Sequence, residues 1–220
     1  MNATLFAQEQ SIKQVFEAIY HNKGWWRREK DGVSGATTQV HSGVGSTMLQ
    51  TARVRKQLPL LLRSLGVRKF IDVPCGDFHW MRMVDLSFLD VYIGVDIVAE
   101  FIDINEKKYA HEKRKFLVAD VTTDILPCAD LILCRDCLAH LCNAAIFKVI
   151  AMLKKRGSTY LLVTTIPCQE SNRDIATGDW RALNLELPPF NFPQSLQIIE
   201  EGWDNKVLAL WRISDLPIFN

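Results

Sequence analysis

Apolar residues near the start of the chain recur three or four apart, at Ile12, Val15, Phe16 and Ile19, which predicts a helix over 5–20 stopped by Asn22 and Gly24. The next stretch, 24–45, predicts no strand and is longer than a bare connection needs, a length typical of lids and other functional loops. Thr47 and Gln50 have the spacing of a capping box for a helix running towards Gln57, where Pro59 predicts a kink or a fresh start. On this pattern the first third is helical and without strands.

From residue 67 the pattern changes to short apolar runs separated by helical stretches. Strands are predicted at 67–73, 91–95, 116–119, 130–134 and 159–165, with helices at 98–109 and 143–155. That alternation implies a mostly parallel sheet with helices on both faces. The last apolar runs, 196–200 and 207–213, are joined only by EGWDNK, too short for a helical crossover, so the final strand returns antiparallel. The expected fold class is α/β and Rossmann-like: a seven-stranded, mostly parallel sheet ending in an antiparallel hairpin. Residues 1–66 form an N-terminal helical cap and lid belonging to the same domain as the core, 67–220.

Composition narrows the function classes. Lys and Arg number 26 against 25 Asp and Glu, so no broad attraction for nucleic acid or an anionic membrane surface is implied. No apolar run has membrane-spanning length and MNATLFAQEQSIKQ lacks a secretory pattern, which sets the expectation of a cytoplasmic protein. The 6 cysteines sit mostly within apolar segments and read as reduced core thiols. Cys134, Cys137 and Cys142 have no second Cys-x-x-Cys or histidine pair to complete a zinc set, so no metal is expected. Oligomeric state is not encoded in any of these features.

Candidate chemistry begins at IDVPCGDFHW (71–80), an apolar run leading into a turn. Pro74, Gly76 and Phe78 stand where a dinucleotide-binding turn places three glycines. S-Adenosylmethionine has no pyrophosphate, so a turn that binds it does not need that row of backbone amides. Gly76 lets the backbone approach the methionine part of the cofactor, and Asp72 or Asp77 meets its ammonium group or orders the turn. Asp96, followed by Ile97, ends the next strand 20 positions after Gly76, the interval of an acid that accepts from a ribose diol; the competing reading is a cap before Val98. At the third strand end, Asp120 accepts from the adenine amine and the Val121 amide addresses the ring, or Asp120 simply caps. ADLILCRDCLAHL brings Arg135 and Asp136 to the same crevice, with His140 about a turn later. Asp136 or His140 is the candidate base; a structural histidine is the alternative for His140. Trp180 and Arg181 open a Pro-rich insertion that either selects an acceptor or covers the sheet edge.

With these residues in place, the chain resembles a family of small bacterial class I S-adenosylmethionine-dependent methyltransferases over about 15–216. The resemblance rests on SGVGS (42–46) with Thr51 and Arg55, DVPCGDFHWM, YIGVDIV, ADLILCRDCLAHL, RDIATGDWRALNLELPPFNFP and LALWRI. It implies the fold above, S-adenosyl-L-methionine as cofactor, and methyl transfer to oxygen or nitrogen of a small polar acceptor, a carbohydrate or other metabolite. It makes Pro74 a hallmark of the first turn. It also implies a lid in which Ser42, Gly43 and Arg55 contact the cofactor, and acceptor contacts from Trp25, His79, Trp180 and Arg181. The chain departs from the family pattern at DGVSGATTQVH, which is longer, and at His79, where asparagine is usual. Competing readings are a cofactor-binding regulatory module without transfer activity, a protein or peptide methyltransferase, and a nicotinamide oxidoreductase.

Overall fold

The computed structural model of the chain describes residues 10–30 and 37–219. Helix α1 (Ile12–His21) precedes a hairpin of β1 (Arg27–Lys30) and β2 (Thr37–Val40), and then helix α2 (Ala52–Ser64). The core follows as β3 (Lys69–Asp72), β4 (Val91–Asp96), α3 (Ala99–Tyr109), β5 (Arg114–Val118), β6 (Leu131–Cys134), α4 (Asn143–Lys154), β7 (Tyr160–Thr165), β8 (Gln197–Glu200) and β9 (Val207–Arg212). The main sheet has seven strands in the order β5-β4-β3-β6-β7-β9-β8. Pairings from β5 to β7 are parallel, while β9 runs antiparallel to both β7 and β8. The expected architecture is therefore the observed one.

Burial explains which strands are central. All of Leu131–Cys134 is buried, as a strand covered on both faces must be, whereas β5 at the edge buries only Phe116. Alternate side chains split between two apolar clusters. Ile71, Ile132 and Val163 face α4, while Phe70, Leu131, Leu133 and Leu162 face α2. The order of β3, with β4 on one side and β6 on the other, creates a switch point where a crevice opens beyond the strand ends.

Three local expectations are corrected. The first third does contain strands, β1 and β2, paired antiparallel with Arg27 opposite Val40. Their sequences, RREK and TTQV, lack the alternation of apolar residues that marks a strand, because the ribbon packs little of itself into the core. Thr47 accepts from the Gln50 amide at 3.3 Å, but α2 begins only at Ala52, and Gln50 turns towards the crevice. Pro59 lies inside α2, so no fresh start occurs there: the lost bond to the Arg55 carbonyl is offset by burial of Val54, Leu58, Leu61 and Leu62, each contributing about 1.5–3 kcal/mol. For the first helix, Ser11 and Gln14 form a capping box that begins it at Ile12; the expected portion before residue 10 lies outside the described residues.

Candidate active site

The turn after β3 is built by close backbone approach. Gly76 has φ 53°, and a Cβ there would lie 2.6 Å from that of Ser42. Glycine thus lets the 42–46 loop settle directly on the turn. Asp77 fastens it, accepting from the His41 amide and the Ser42 hydroxyl, both at 2.7 Å. From the hairpin, Glu29 accepts from the amides of Met48 and Leu49 and pairs with His79 Nε2 at 3.2 Å. Arg55 donates to the Met48 carbonyl at 2.9 Å, and buried Asn105 donates to the Gly76 carbonyl at 2.8 Å. The 42–46 loop and the turn are consequently one hydrogen-bonded unit.

Carboxylates occupy successive strand ends. Asp72, 2% exposed, accepts from the Tyr92 hydroxyl at 2.7 Å. Burial pushes its pKa up to about 7, against the opposing effects of the Tyr92 bond and Arg135. Asp96, 4% exposed, accepts from the Gly76 and Val98 amides, each at 2.9 Å. Its pKa rises to about 6 through burial, restrained by those amides. Asp96 does not cap α3, whose N-cap is Val98 with no side-chain capping bond; it accepts from the Val98 amide just before the helix, and each carboxylate oxygen keeps a second lone pair. Asp120 accepts from the Thr122 amide and hydroxyl through Oδ1, at 2.8 and 2.6 Å.

Beyond β6 the charges interlock. Asp136, at φ 52°, accepts from Lys206 through both oxygens at 3.0 and 2.9 Å and lies 3.2 Å from Arg135. Burial opposes ionisation of Asp136, but Arg135 and Lys206 outweigh it and hold the carboxyl below its usual range. Glu201, fully buried, accepts from Arg135 Nε at 3.1 Å and sits 3.3 Å from Lys206. His140 Nδ1 lies 2.9 Å from the Asp179 carbonyl oxygen. A carbonyl can only accept, so Nδ1 carries the proton and Nε2 the lone pair. Burial lowers the His140 pKa and so favours the neutral ring.

These groups surround one cavity of about 400 Å³, within the range of small-molecule sites. It brings together Ser42, Gly43, Asp72, Pro74, Gly76, Asp96, Ile97, Asp120, Val121, Arg135, Asp136 and His140, together with Trp25 and Trp180. Four expected contacts are not brought to it. Asp77 accepts from the His41 amide, Arg55 donates to the Met48 carbonyl, His79 pairs with Glu29, and Arg181 is buried against the carbonyls of Leu138 and Ala139 and the Asn143 side chain. Sequence reasoning missed Lys206, Glu201 and Asn105. The first two lie at the β8–β9 connection, far along the chain from Asp136, and only the antiparallel return of β9 carries them there. Among the described residues no cluster of metal-ligating groups occurs, and no helix is long and apolar enough to cross a membrane.

No family model matches the chain, and no curated protein matches it. Solved structures do. Magnesium protoporphyrin IX methyltransferase from Synechocystis PCC 6803 with bound SAM aligns with a TM-score of 0.61 at 12% identity, over 96% of this chain and 99% of that one. The 1,6-didemethyltoxoflavin-N1-methyltransferase of Burkholderia thailandensis, with 1,6-didemethyltoxoflavin and S-adenosylhomocysteine bound, gives 0.57 at 15% identity, over 91% and 86%. Human N-acetylserotonin methyltransferase in complex with SAM gives 0.55 at 14% identity, over 92% of this chain and 60% of that one. The chain likewise spans 66% of the methyltransferase domain of a bacterial Hen1 and 56% of the pyocyanin biosynthetic protein PhzM. At these identities the likeness establishes the fold, the Rossmann-like fold of class I methyltransferases.

Proposed function

We propose that this chain is an S-adenosylmethionine-dependent methyltransferase acting at oxygen or nitrogen of a small-molecule acceptor. One observation carries the reading: Asp72, Asp96, Asp120 and Asp136, from the ends of four neighbouring parallel strands, line a single cavity. Asp72, Asp96 and Asp120 suit the ammonium group, ribose hydroxyls and adenine amine of that cofactor. The turn points the same way. Its Cys75, Gly76, Phe78 and His79 amides already donate to Val95, Asp96, Cys75 and Asp77, and only a three-residue 3-10 turn, Met81–Met83, follows it. No helix N-terminus is left there to hold phosphate. The names of the compared enzymes, which include bound SAM or S-adenosylhomocysteine, support the same cofactor.

In this reading Asp96 holds the ribose hydroxyls, Asp120 Oδ2 and the Val121 amide hold the adenine, and Asp72 meets the ammonium group. Ser42 and Gly43 close over the methionine portion. When bound, the cofactor supplies an electrophilic methyl group on a sulfonium with a neutral thioether as leaving group. Arg135 and Asp136, locked by Glu201 and Lys206, fix the wall at the reacting end, and alignment there supplies most of the rate. Asp136, kept ionised by two cations, is a weak base; neutral His140, with its free Nε2, is the proton acceptor. Differential scanning fluorimetry tests the assignment: S-adenosylhomocysteine raises the melting temperature and NAD does not. Stabilisation by NAD alone refutes it.

A further inference from the structure

Helix α1 has an apolar face but no fully buried residue. Ile12 and Phe16, on that face, line the cavity, as does Trp25 beside them. Trp25 tilts against Phe16 at 5.7 Å and against His140 at 5.6 Å between ring centroids. At the same cavity Trp180 is 57% exposed and has no aromatic neighbour among the described residues. The residue before it, Asp179, supplies the carbonyl that orients His140. The histidine's surroundings are therefore aromatic and apolar, and part of that surface is left uncovered by the protein itself.

The two cations nearest Asp136 are already engaged. The Lys206 ammonium is shared between both Asp136 oxygens and Glu201, and Arg135 is held by Glu201 and Asp136. A polyhydroxylated sugar needs many directional partners, and Lys206 and Arg135, committed to Asp136 and Glu201, are not free to supply them. Flat aromatic rings stack on other aromatic side chains, and Trp25 and Trp180 both line this cavity.

We propose that the acceptor is a planar aromatic molecule, stacked on Trp25 and Trp180, whose ionisable hydroxyl or ring N–H lies at Nε2 of His140. This rests on the methyltransferase reading and replaces the carbohydrate expectation. The acceptor proton passes to Nε2, the freed electron pair on oxygen or nitrogen forms the bond to the methyl carbon, and the C–S electron pair stays on sulfur as the thioether. A phenol-like hydroxyl, with a pKa near about 10, is far closer to the reach of a neutral histidine than an aliphatic alcohol is.

The test is binding, read independently of turnover. The full chain is titrated with a set of phenols and N-heteroaromatics, including catechol, and with a set of methyl glycosides, each with and without saturating S-adenosylhomocysteine, by tryptophan fluorescence and calorimetry. Members of the aromatic set bind and quench, and the glycosides do neither. Trp180→Ala, at an exposed position, weakens aromatic binding about five- to ten-fold; Trp25→Ala, if it folds, does the same. Binding of glycosides alone, no binding by any aromatic compound, or aromatic affinity unchanged in Trp180→Ala overturns the proposal. Aromatic binding in a protein that fails to bind S-adenosylhomocysteine refutes the methyltransferase reading and leaves the aromatic site standing.

Discussion

Replacing Asp72 by Asn removes one buried titrating carboxyl and leaves a side chain of similar shape that still accepts from the Tyr92 hydroxyl. In the folded chain the Asp72 pKa is pushed up to about 7, against about 3.9 in an unfolded one. A raised carboxyl contributes its full stability below the unfolded pKa and loses it as pH rises through the folded one. At about 1.36 kcal/mol per pH unit, roughly 2.5 kcal/mol disappears between pH 5 and pH 8. Asp96, raised to about 6, titrates in both proteins, so its contribution cancels when the two are compared. Urea denaturation at pH 5, 6, 7 and 8 reads the effect. Stability of the wild type falls relative to Asp72→Asn by roughly 2.5 kcal/mol over that window, with most of the change below pH 7. Parallel pH profiles would refute the assignment of a buried, neutral-to-ionised switch to this strand end.

Other substitutions probe the remaining parts. Gly76→Ala places a Cβ against Ser42 at a left-handed φ, costing about 1–2 kcal/mol in strain and displacing the lid; its S-adenosylhomocysteine affinity drops in calorimetry while the far-UV circular dichroism is unchanged. Glu201→Gln leaves Arg135 and Lys206 sharing only Asp136, and denaturant titration shows a loss of about 3–5 kcal/mol. His140 is flanked by Asp136, Arg181, Lys206 and the Asp179 carbonyl, and burial lowers its pKa. The single-turnover rate therefore climbs with pH through a pKa below the ordinary histidine value to a plateau, and His140→Asn loses that limb and about 10²–10⁴ in rate.

The parts legible in the sequence were those whose physics is local or periodic. Strands β6, β7 and β9 are continuous apolar runs because both faces are covered, and the six-residue EGWDNK link forces the antiparallel return. Asp96 and Asp120 were legible because strand ends in a parallel sheet share one crevice. The hairpin β1–β2 was not, since its polar residues carry no period. Arg55, Asp77, His79 and Arg181 lie in the right segments, but segment membership does not give side-chain direction: each turns away to hold backbone or a neighbouring side chain. Lys206 and Glu201 left no local signal, because their partners are brought to them only by tertiary pairing between β7, β8 and β9.

Calorimetric titration of the wild type and of Asp96→Ala with S-adenosylhomocysteine most directly tests whether these acids form one nucleoside site. The wild type binds with one-to-one stoichiometry, and Asp96→Ala, folded by circular dichroism, shows no measurable heat of binding. Equal affinity in the two proteins, or no binding by the wild type, contradicts the account.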